Sequence, residues 1–268
     1  MSLRDLLRRF SRKQASVDDA MRGLVSHDGW YAPMGWAAKA FDTNRFDEVC
    51  LWGSSSALPP ATLWLFTDKD AGEEALQRGL VPGPVAGPLQ GTQVFERVPD
   101  GLETVQVNPG SPQADGWYMG GKAIPLGRAW ARAVTLEQAI DQGAEFGLAL
   151  GRYPSFGVLA DASAALVTAV GAAGLKNPGL IFSASDCLEA GRAKLGAAAA
   201  PFGAHVLAGP TLFGGLDRFG VDGYILNVAG VGPTRVFDRE ICQAIVALVE
   251  AADDAERLEA IARKTEPA

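Results

Sequence analysis

A short apolar segment that ends in Thr or Ser and leads into an acidic stretch occurs twice in this chain. The two copies are LWLFTDKD at 63–70 and LIFSASD at 180–186. Each is followed, after a Gly- and Pro-rich stretch, by a second apolar segment that ends in Asn. These second segments are GLETVQVN at 101–108 and GVDGYILN at 220–227. The offsets are similar, 116 residues from Phe66 to Phe182 and 119 from Asn108 to Asn227. The pattern predicts one strand–helix–strand unit used twice.

The repeated segments also indicate the fold class. Their continuous apolar character is typical of strands buried on both faces of a sheet, and 268 residues are enough for two cores of ordinary size. We therefore predict an α/β fold, with α+β as the alternative, made of two similar units with mixed sheets flanked by helices. The predicted organisation is a basic amphipathic helical segment at 1–24, a first unit at 25–133, and a second, diverged unit with a C-terminal helix at 134–268.

Local patterns predict further elements. Strands are expected at 91–98 and 103–108, and helices at 135–150 and 162–173. A buried strand is the alternative at 162–173. Thr67 with Asp70 and Ser183 with Asp186 have the spacing of an N-terminal helix cap. The two copies are therefore expected to share the same capping chemistry.

Charge and cysteine content exclude several classes of protein. Residues 1–13 carry a net charge of +4, so the rest of the chain carries −11, which argues against a nucleic-acid partner. No apolar run reaches the length of a membrane span, and no apolar segment follows the N-terminal basic residues as in a secretory signal. Cys50, Cys187 and Cys242 are scattered and form no C-x-x-C motif. We expect a cytoplasmic protein that does not associate with a membrane and whose first helix packs on its own chain. The alternative for this helix is that it lies on an anionic membrane surface or on a partner.

The motif search predicts no catalytic, cofactor or metal site. GSSSA at 53–57 lacks the last Gly of a nucleophile elbow and precedes LPP rather than a helix. GVGPTR at 230–235 lacks the third Gly of a dinucleotide-binding loop. His27 and His205 are the two histidines, and both are predicted to be structural. An enzyme with an acid–base pair that no motif reveals is a further alternative.

Polar residues at the predicted strand ends are the candidate ligand site. These residues are Thr67, Asp68, Asn108, Ser183 and Asn227. In αβ units, ligands bind where strands end and helices begin. The alternative is that the same side chains only cap helices and close Asx-turns.

Two tryptophans are the candidate partner surface. Trp30 and Trp117 belong to a repeated DGWY tetrad that brackets the first unit. Aromatic side chains are favoured anchors at protein interfaces, and they are equally good core residues.

The first unit resembles a known family. LWLFTD at 63–68 and VQVNPGS at 105–111 are similar to the N-terminal domain of the SseB family, the bacterial enhanced serine sensitivity proteins. The resemblance is clearest over about residues 28–120 and weaker over 155–237, where NVAG replaces NPGS. It implies a cytosolic bacterial protein linked loosely to amino-acid sensitivity, and it implies no activity, cofactor or catalytic residue.

Two functions follow as hypotheses. The leading one is a non-enzymatic protein-binding or regulatory module whose partner is a protein bound through the tryptophan-rich first unit. The alternative is a small-molecule sensor that binds a polar, amino-acid-type ligand at the strand ends or between the two units.

Overall fold

The computed structural model describes residues 1–33, 62–81, 84–96, 104–111, 117–120, 124–142, 146–229 and 231–265. Helices and mixed sheets occur together in these residues, which confirms the predicted α/β class. The chain divides into two compact units, Met1–Val134 and Thr135–Ala268. Among the helices described, none combines the length and apolar character needed to cross a membrane.

Unit 1 alternates helices and strands. Its described elements are α1 (Leu3–Ser11), α2 (Val17–Val25), β1 (Trp30–Pro33), β2 (Thr62–Leu65), α3 (Lys69–Gln77), β3 (Val85–Leu89), α4 (Gly91–Glu96), β4 (Thr104–Val107), β5 (Trp117–Gly120) and the start of α5 (Ile124–Gln142). β2 is parallel to β4, and β4 is antiparallel to β5. β1 is antiparallel to β3, and a bridge between Tyr31 and Phe66 places β1 beside β2. The resulting strand order is β5-β4-β2-β1-β3.

Unit 2 begins within α5 and contains a five-stranded sheet. Its further elements are α6 (Phe146–Arg152), β6 (Phe156–Ala160), β7 (Gly179–Phe182), α7 (Ser185–Leu195), β8 (Gly203–Leu207), α8 (Gly209–Phe213), α9 (Leu216–Phe219), β9 (Gly223–Leu226), β10 (Arg235–Asp238) and α10 (Arg239–Thr265). The strand order is β10-β9-β7-β6-β8, in which β7 and β9 are parallel and the other pairs are antiparallel. Unit 2 therefore has the strand order and pairing directions of unit 1.

The N-terminal helix is amphipathic and packs within unit 1. Ser2 caps α1 by accepting a hydrogen bond from the backbone N–H of Asp5 at 3.2 Å. Leu6 and Leu7 are buried, and Leu6 lies directly against Gly23 of α2. The apolar face of α1 is thus covered by its own chain.

The predicted strand at 91–98 is wrong, because residues 91–96 form helix α4. Gly91, Thr92, Val94 and Phe95 are buried, which is a helical rather than an alternating spacing. The N–H of Gly91 donates to the carbonyl of His27 at 2.8 Å, and a Cβ at Gly91 would lie 2.7 Å from the carbonyl oxygen of Leu24. Only a residue without a side chain fits this contact.

Two helix predictions in unit 2 also change. The helix expected at 135–150 begins earlier, at Ile124, and ends at Gln142. Residues 162–173 are not an α-helix, because the Asp161 carboxylate accepts hydrogen bonds from the N–H groups of Ser163 and Ala165 at 2.8 and 3.0 Å and closes a turn. Such local hydrogen bonds compete with helix formation.

Candidate functional site

The strand-end cluster of unit 1, formed by Arg4, His27, Thr67, Asp68 and Asn108, lies where β2 and β4 end. The side-chain Oδ1 of Asn108 accepts a hydrogen bond from the backbone N–H of Thr67 at 3.0 Å. The Nδ2 of Asn108 donates to Thr67 Oγ1 at 3.1 Å. Thr67 and Asn108 are both buried. These hydrogen bonds tie the ends of the two parallel strands together.

Backbone geometry explains why Asn stands at this strand end. The N–H of Asn108 donates to the carbonyl of Leu65 at 2.8 Å and so extends the parallel ladder by one bond. Asn108 then takes φ 46°, a left-handed conformation that Asn adopts more readily than most residues. Its short side chain reaches the next N–H of the neighbouring strand, which would otherwise be buried without a partner.

Charged and aromatic side chains complete the cluster of unit 1. Arg4 donates from Nε to Thr67 Oγ1 at 3.1 Å and pairs through Nη2 with the Asp68 carboxylate at 2.8 Å. The Nε2–H of His27 donates to the carbonyl of Thr67 at 2.9 Å. This contact gives His27 the structural role that was predicted.

The strand-end cluster of unit 2, formed by Glu137, Tyr153, Ser183, Cys187 and Asn227, repeats this arrangement. Asn227 Oδ1 accepts from the N–H of Ser183 at 3.0 Å, and Asn227 Nδ2 donates to Ser183 Oγ at 2.9 Å. Asn227 also takes a left-handed φ of 53°. The Tyr153 hydroxyl donates to the carbonyl of Ser183 at 2.5 Å, as His27 does to that of Thr67. Two different side chains thus satisfy equivalent carbonyls.

The two clusters differ in the charge that reaches the central hydroxyl. In unit 2 the Ser183 hydroxyl donates to the Glu137 carboxylate. In unit 1 the Thr67 hydroxyl lies 3.1 Å from the Asp68 carboxylate and also accepts a hydrogen bond from Arg4, which pairs with Asp68. The Cys187 thiol donates to the carbonyl of Val231 at 3.2 Å and lies 3.7 Å from Glu137 Oε1. Glu137, Ser183 and Cys187 are all buried. A carboxylate, a hydroxyl and a thiol therefore meet below the surface of unit 2.

The predicted caps are corrected by these contacts. Helix α3 is capped by Asp68, which accepts from the N–H of Ala71 at 2.9 Å, because the Thr67 hydroxyl is engaged by Asn108 and Arg4. Helix α7 has Ala184 at its N-cap and no side-chain cap. The Ser183 hydroxyl instead turns to Glu137 and Asn227. The two units share the strand-end hydrogen bonds and differ in capping.

The two candidate tryptophans have different outcomes. The prediction that Trp30 is a surface anchor is wrong. Its side chain is fully buried, and its Nε1–H donates to the carbonyl of Leu24 at 3.0 Å. Trp117 is the first residue of β5, and its side chain lies outside the described part of the chain, as do residues 53–57. The role predicted for Trp117 stays a prediction.

An exposed sheet edge is the feature of unit 2 that the sequence did not reveal. β8 ends the sheet and pairs only with β6 among the described strands. Its residues from Gly203 to Val206 are exposed, and Val206 retains 65% of its accessible surface. His205 was predicted to be structural, but its side chain is exposed on this strand. An edge strand presents a row of unpaired backbone donors and acceptors.

A groove of about 560 Å³ lies beside this edge, and we call it the β8 groove. Residues that line it include Val158, Leu166, His205, Thr211, Arg218 and Phe219. The Arg218 guanidinium lies 5.7 Å from the centre of the Phe219 ring. The groove thus combines apolar walls with the Arg218 guanidinium, the His205 imidazole and the Asp161 carboxylate, whereas the strand-end clusters are occupied by their own hydrogen bonds.

The fold and the candidate sites define a two-unit α/β protein with an exposed sheet edge. In the described residues, no group of three His, Cys, Asp or Glu side chains is arranged to hold a metal ion. The chain matches no known protein-family model, no curated protein and no solved structure. The resemblance to the SseB family therefore stays a prediction.

Sequence reasoning missed both Glu137 and Arg218. Glu137 lies on α5, remote in sequence from Ser183, and no local motif links the two. The composition GAHVL of β8, without Pro or a charged residue, was visible in the sequence. It becomes informative only once β8 is known to be an edge strand.

Proposed function

We propose that this protein is a non-enzymatic binding module that holds an extended segment of a partner protein against the free edge of β8. The observation that supports this proposal is the exposure of β8 from Gly203 to Val206 at the end of a five-stranded sheet. A peptide that adds one strand would pair the free N–H and C=O groups of this edge, which is a common mode of peptide recognition.

Comparison with other edge strands strengthens the proposal. Natural proteins protect edge strands with Pro or with charged side chains. β3, the equivalent edge strand of unit 1, contains Pro88, and β10, at the opposite edge of unit 2, contains Arg235 and Asp238. β5, the other edge strand of unit 1, has the sequence WYMG and also lacks Pro and charge. β8 has none of these protections. An unprotected edge is consistent with a strand that is kept open for a partner.

A different protein is favoured over a second copy of this chain as the occupant. Each copy carries a net charge of −7, so two copies repel each other at long range. A partner segment without this net charge avoids the repulsion.

A cytoplasmic location is part of the same proposal. It is supported by the buried, reduced thiols of Cys187 and Cys242, which are typical of a reducing compartment. The SseB resemblance supports a bacterial protein of the same location.

The test is selection of displayed random twelve-residue peptides on the wild-type protein, with removal of those that also bind Val206→Lys. Val206 is exposed, so this variant is expected to fold, and its charge opposes strand addition. Selected peptides are then synthesised with N-methyl groups at alternate residues. In one series the methyl groups replace the N–H hydrogens that would face β8. In the other series they replace the N–H hydrogens that point away from it.

Strand addition predicts that one N-methyl series abolishes binding and the other does not. It also predicts slower hydrogen exchange of the β8 amides in the complex. The proposal fails if no peptide is selected, if both series bind equally, or if exchange slows elsewhere and not in β8. Concentration-dependent dimerisation that Val206→Lys abolishes would assign the edge to a second copy and overturn the proposal.

The small-molecule alternative is tested by thermal shift with serine, homoserine and related amino acids. A ligand at 100 times its Kd stabilises a protein by about 2.7 kcal/mol, which is roughly 5–10 °C for a chain of this size. A ligand at the strand ends would have to replace the hydrogen bonds that join Thr67 to Asn108 or Ser183 to Asn227. A reproducible shift with one compound would favour the sensor.

A further inference from the structure

We propose that the β8 groove selects partner segments that carry one carboxylate side chain among apolar residues, and that Arg218 binds this carboxylate. This inference rests on the proposed binding of an extended segment at β8. It adds the chemical class of the partner to the place where the partner binds.

The first step concerns which side chains of an added strand reach the groove. His205 pairs directly with Val158 across β6 and β8, and both residues line the groove. Directly opposed residues in a sheet lie on the same face, and side chains alternate between faces along each strand. A segment added to β8 would therefore place every second side chain on the face where the groove lies.

The second step concerns the charge that such a side chain meets. Arg218 is exposed and lies over Phe219 at the groove. Its neighbour Asp217 is engaged by Arg239 at 2.8 Å. The Asp161 carboxylate, also at the groove, accepts three hydrogen bonds from its own turn, and these hold its pKa below the ordinary value. Within the described residues, no carboxylate forms a salt bridge with Arg218.

The third step concerns the rest of the segment. Val158, Ala160, Leu166 and Phe219 give the groove apolar walls, and its volume of about 560 Å³ accommodates a side chain of a bound segment. The chain as a whole carries a net charge of −7, so a run of acidic residues would be repelled at long range. A segment with one carboxylate and apolar neighbours on the same face matches the apolar walls of the groove and avoids this repulsion.

The experiment uses the peptides selected on the wild-type protein. Each acidic residue of a selected peptide is replaced by its neutral amide, and the Kd values of both forms are measured for wild type, Arg218→Met and Arg235→Met. Arg235 is an exposed arginine on β10, at the opposite edge of the same sheet. Arg235→Met therefore removes the same charge from unit 2 at a site away from the groove.

We expect amide replacement to weaken binding to wild type and to Arg235→Met by about two- to fivefold, the range of an exposed charge pair. Arg218→Met should bind the acid and amide forms equally. Selected peptides that bind β8 without an acidic residue, or that keep their preference for the acid on Arg218→Met, would overturn this inference and leave the proposed function standing. Failure to select any peptide that protects β8 would overturn both.

Discussion

Asn108 and Asn227 occupy equivalent strand ends and make the same hydrogen bonds in the two units. Each takes a left-handed backbone conformation, and each accepts the backbone N–H of a residue at the end of the neighbouring parallel strand at 3.0 Å. Each also donates to the hydroxyl of that residue, Thr67 or Ser183. The hydroxyl contacts the Arg4–Asp68 ion pair in one unit and the Glu137 carboxylate in the other, which leads to the first prediction.

Asn227→Asp should destabilise unit 2 more than Asn108→Asp destabilises unit 1. The new carboxylate at 227 would share a buried hydroxyl with Glu137, whereas the one at 108 would share its hydroxyl with the Arg4–Asp68 ion pair, in which Arg4 offsets the negative charge. Buried like charges cost several kcal/mol and opposite charges offset the cost of burial, so we expect a difference of about 2 kcal/mol. Hydrogen exchange followed by mass spectrometry gives the opening free energy of β2 and β4 separately from that of β7 and β9.

Glu137→Gln supplies the control for this comparison. It removes the charge at 137, so in this background the difference between the two variants should shrink. Equal effects of the two substitutions at neutral pH would show that Arg4 and Glu137 do not act on the strand ends.

Gly232→Ala should destabilise unit 2 by about 2–4 kcal/mol. Gly232 has φ 70°, and a Cβ there would lie 2.8 Å from Asn227 Nδ2 and 3.0 Å from Glu137 Oε1. The left-handed conformation alone costs about 1 kcal/mol in alanine, and the rest comes from displacement of buried polar groups. Differential scanning calorimetry measures the effect.

Gly171→Ala is the matched control for Gly232→Ala. Gly171 has φ 71° in the same unit, and apart from its chain neighbours no atom of the described residues lies within 4 Å of its Cβ position. It should lose only about 1 kcal/mol. Equal losses in the two variants would contradict close packing of Gly232 on the strand-end cluster.

Unit 2 should lose stability as the pH rises above about 9. Burial raises the pKa of the Cys242 thiol from its ordinary 9.0 to about 12, and burial also raises the pKa of the Tyr224 hydroxyl. Between the ordinary and the raised values the unfolded chain loses protons that the folded chain keeps, so the free energy of unfolding falls with increasing pH. Urea titrations from pH 7 to pH 11, followed by circular dichroism, measure this slope.

Tyr224→Phe separates the contribution of the hydroxyl to stability at pH 7 from its contribution to the loss of stability at high pH. This group donates to the carbonyl of Leu212 at 2.8 Å, so its removal should cost about 0.5–1.5 kcal/mol at pH 7. The same variant should show a shallower loss of stability at high pH, because one titrating group is gone. An unchanged slope would exclude Tyr224 as a source of the alkaline effect.

The ion pair between Arg4 and Asp68 should contribute little by itself. Its side chains are 37% and 44% exposed, and such pairs couple by about 0.2–1 kcal/mol. Asp68→Ala should cost more than Arg4→Ala, because Asp68 also caps α3, and loss of a cap costs about 1 kcal/mol. Denaturation followed by tryptophan fluorescence reports unit 1, since every tryptophan lies at or before residue 130.

The double variant Arg4→Ala/Asp68→Ala completes a double-mutant cycle, which gives the coupling energy of the ion pair, and added salt tests how far this energy is electrostatic. The coupling energy should fall in 1 M NaCl, where charges are screened within about 3 Å. A coupling above about 2 kcal/mol, or one that salt leaves unchanged, would indicate that the pair is shielded from solvent.

Sequence alone determined the α/β class and the placement of Asn108 and Asn227 at strand ends. These inferences depend on local information, namely continuous apolar runs, turn residues and their repetition at similar offsets. The same kind of information failed at 91–98 and 162–173. The packing of Gly91 against carbonyl groups and the hydrogen bonds of Asp161 overrode the apparent local preference there.

Only the tertiary structure decided which residues meet and which stay exposed. Glu137 reaches Ser183 from another helix, Trp30 is buried by its neighbours, and β8 is an edge because of the order in which the strands pair. Contacts between residues distant in the chain depend on strand order and helix packing, which a local pattern does not encode. The strand ends could therefore be located from the sequence, whereas the free edge and its arginine could not.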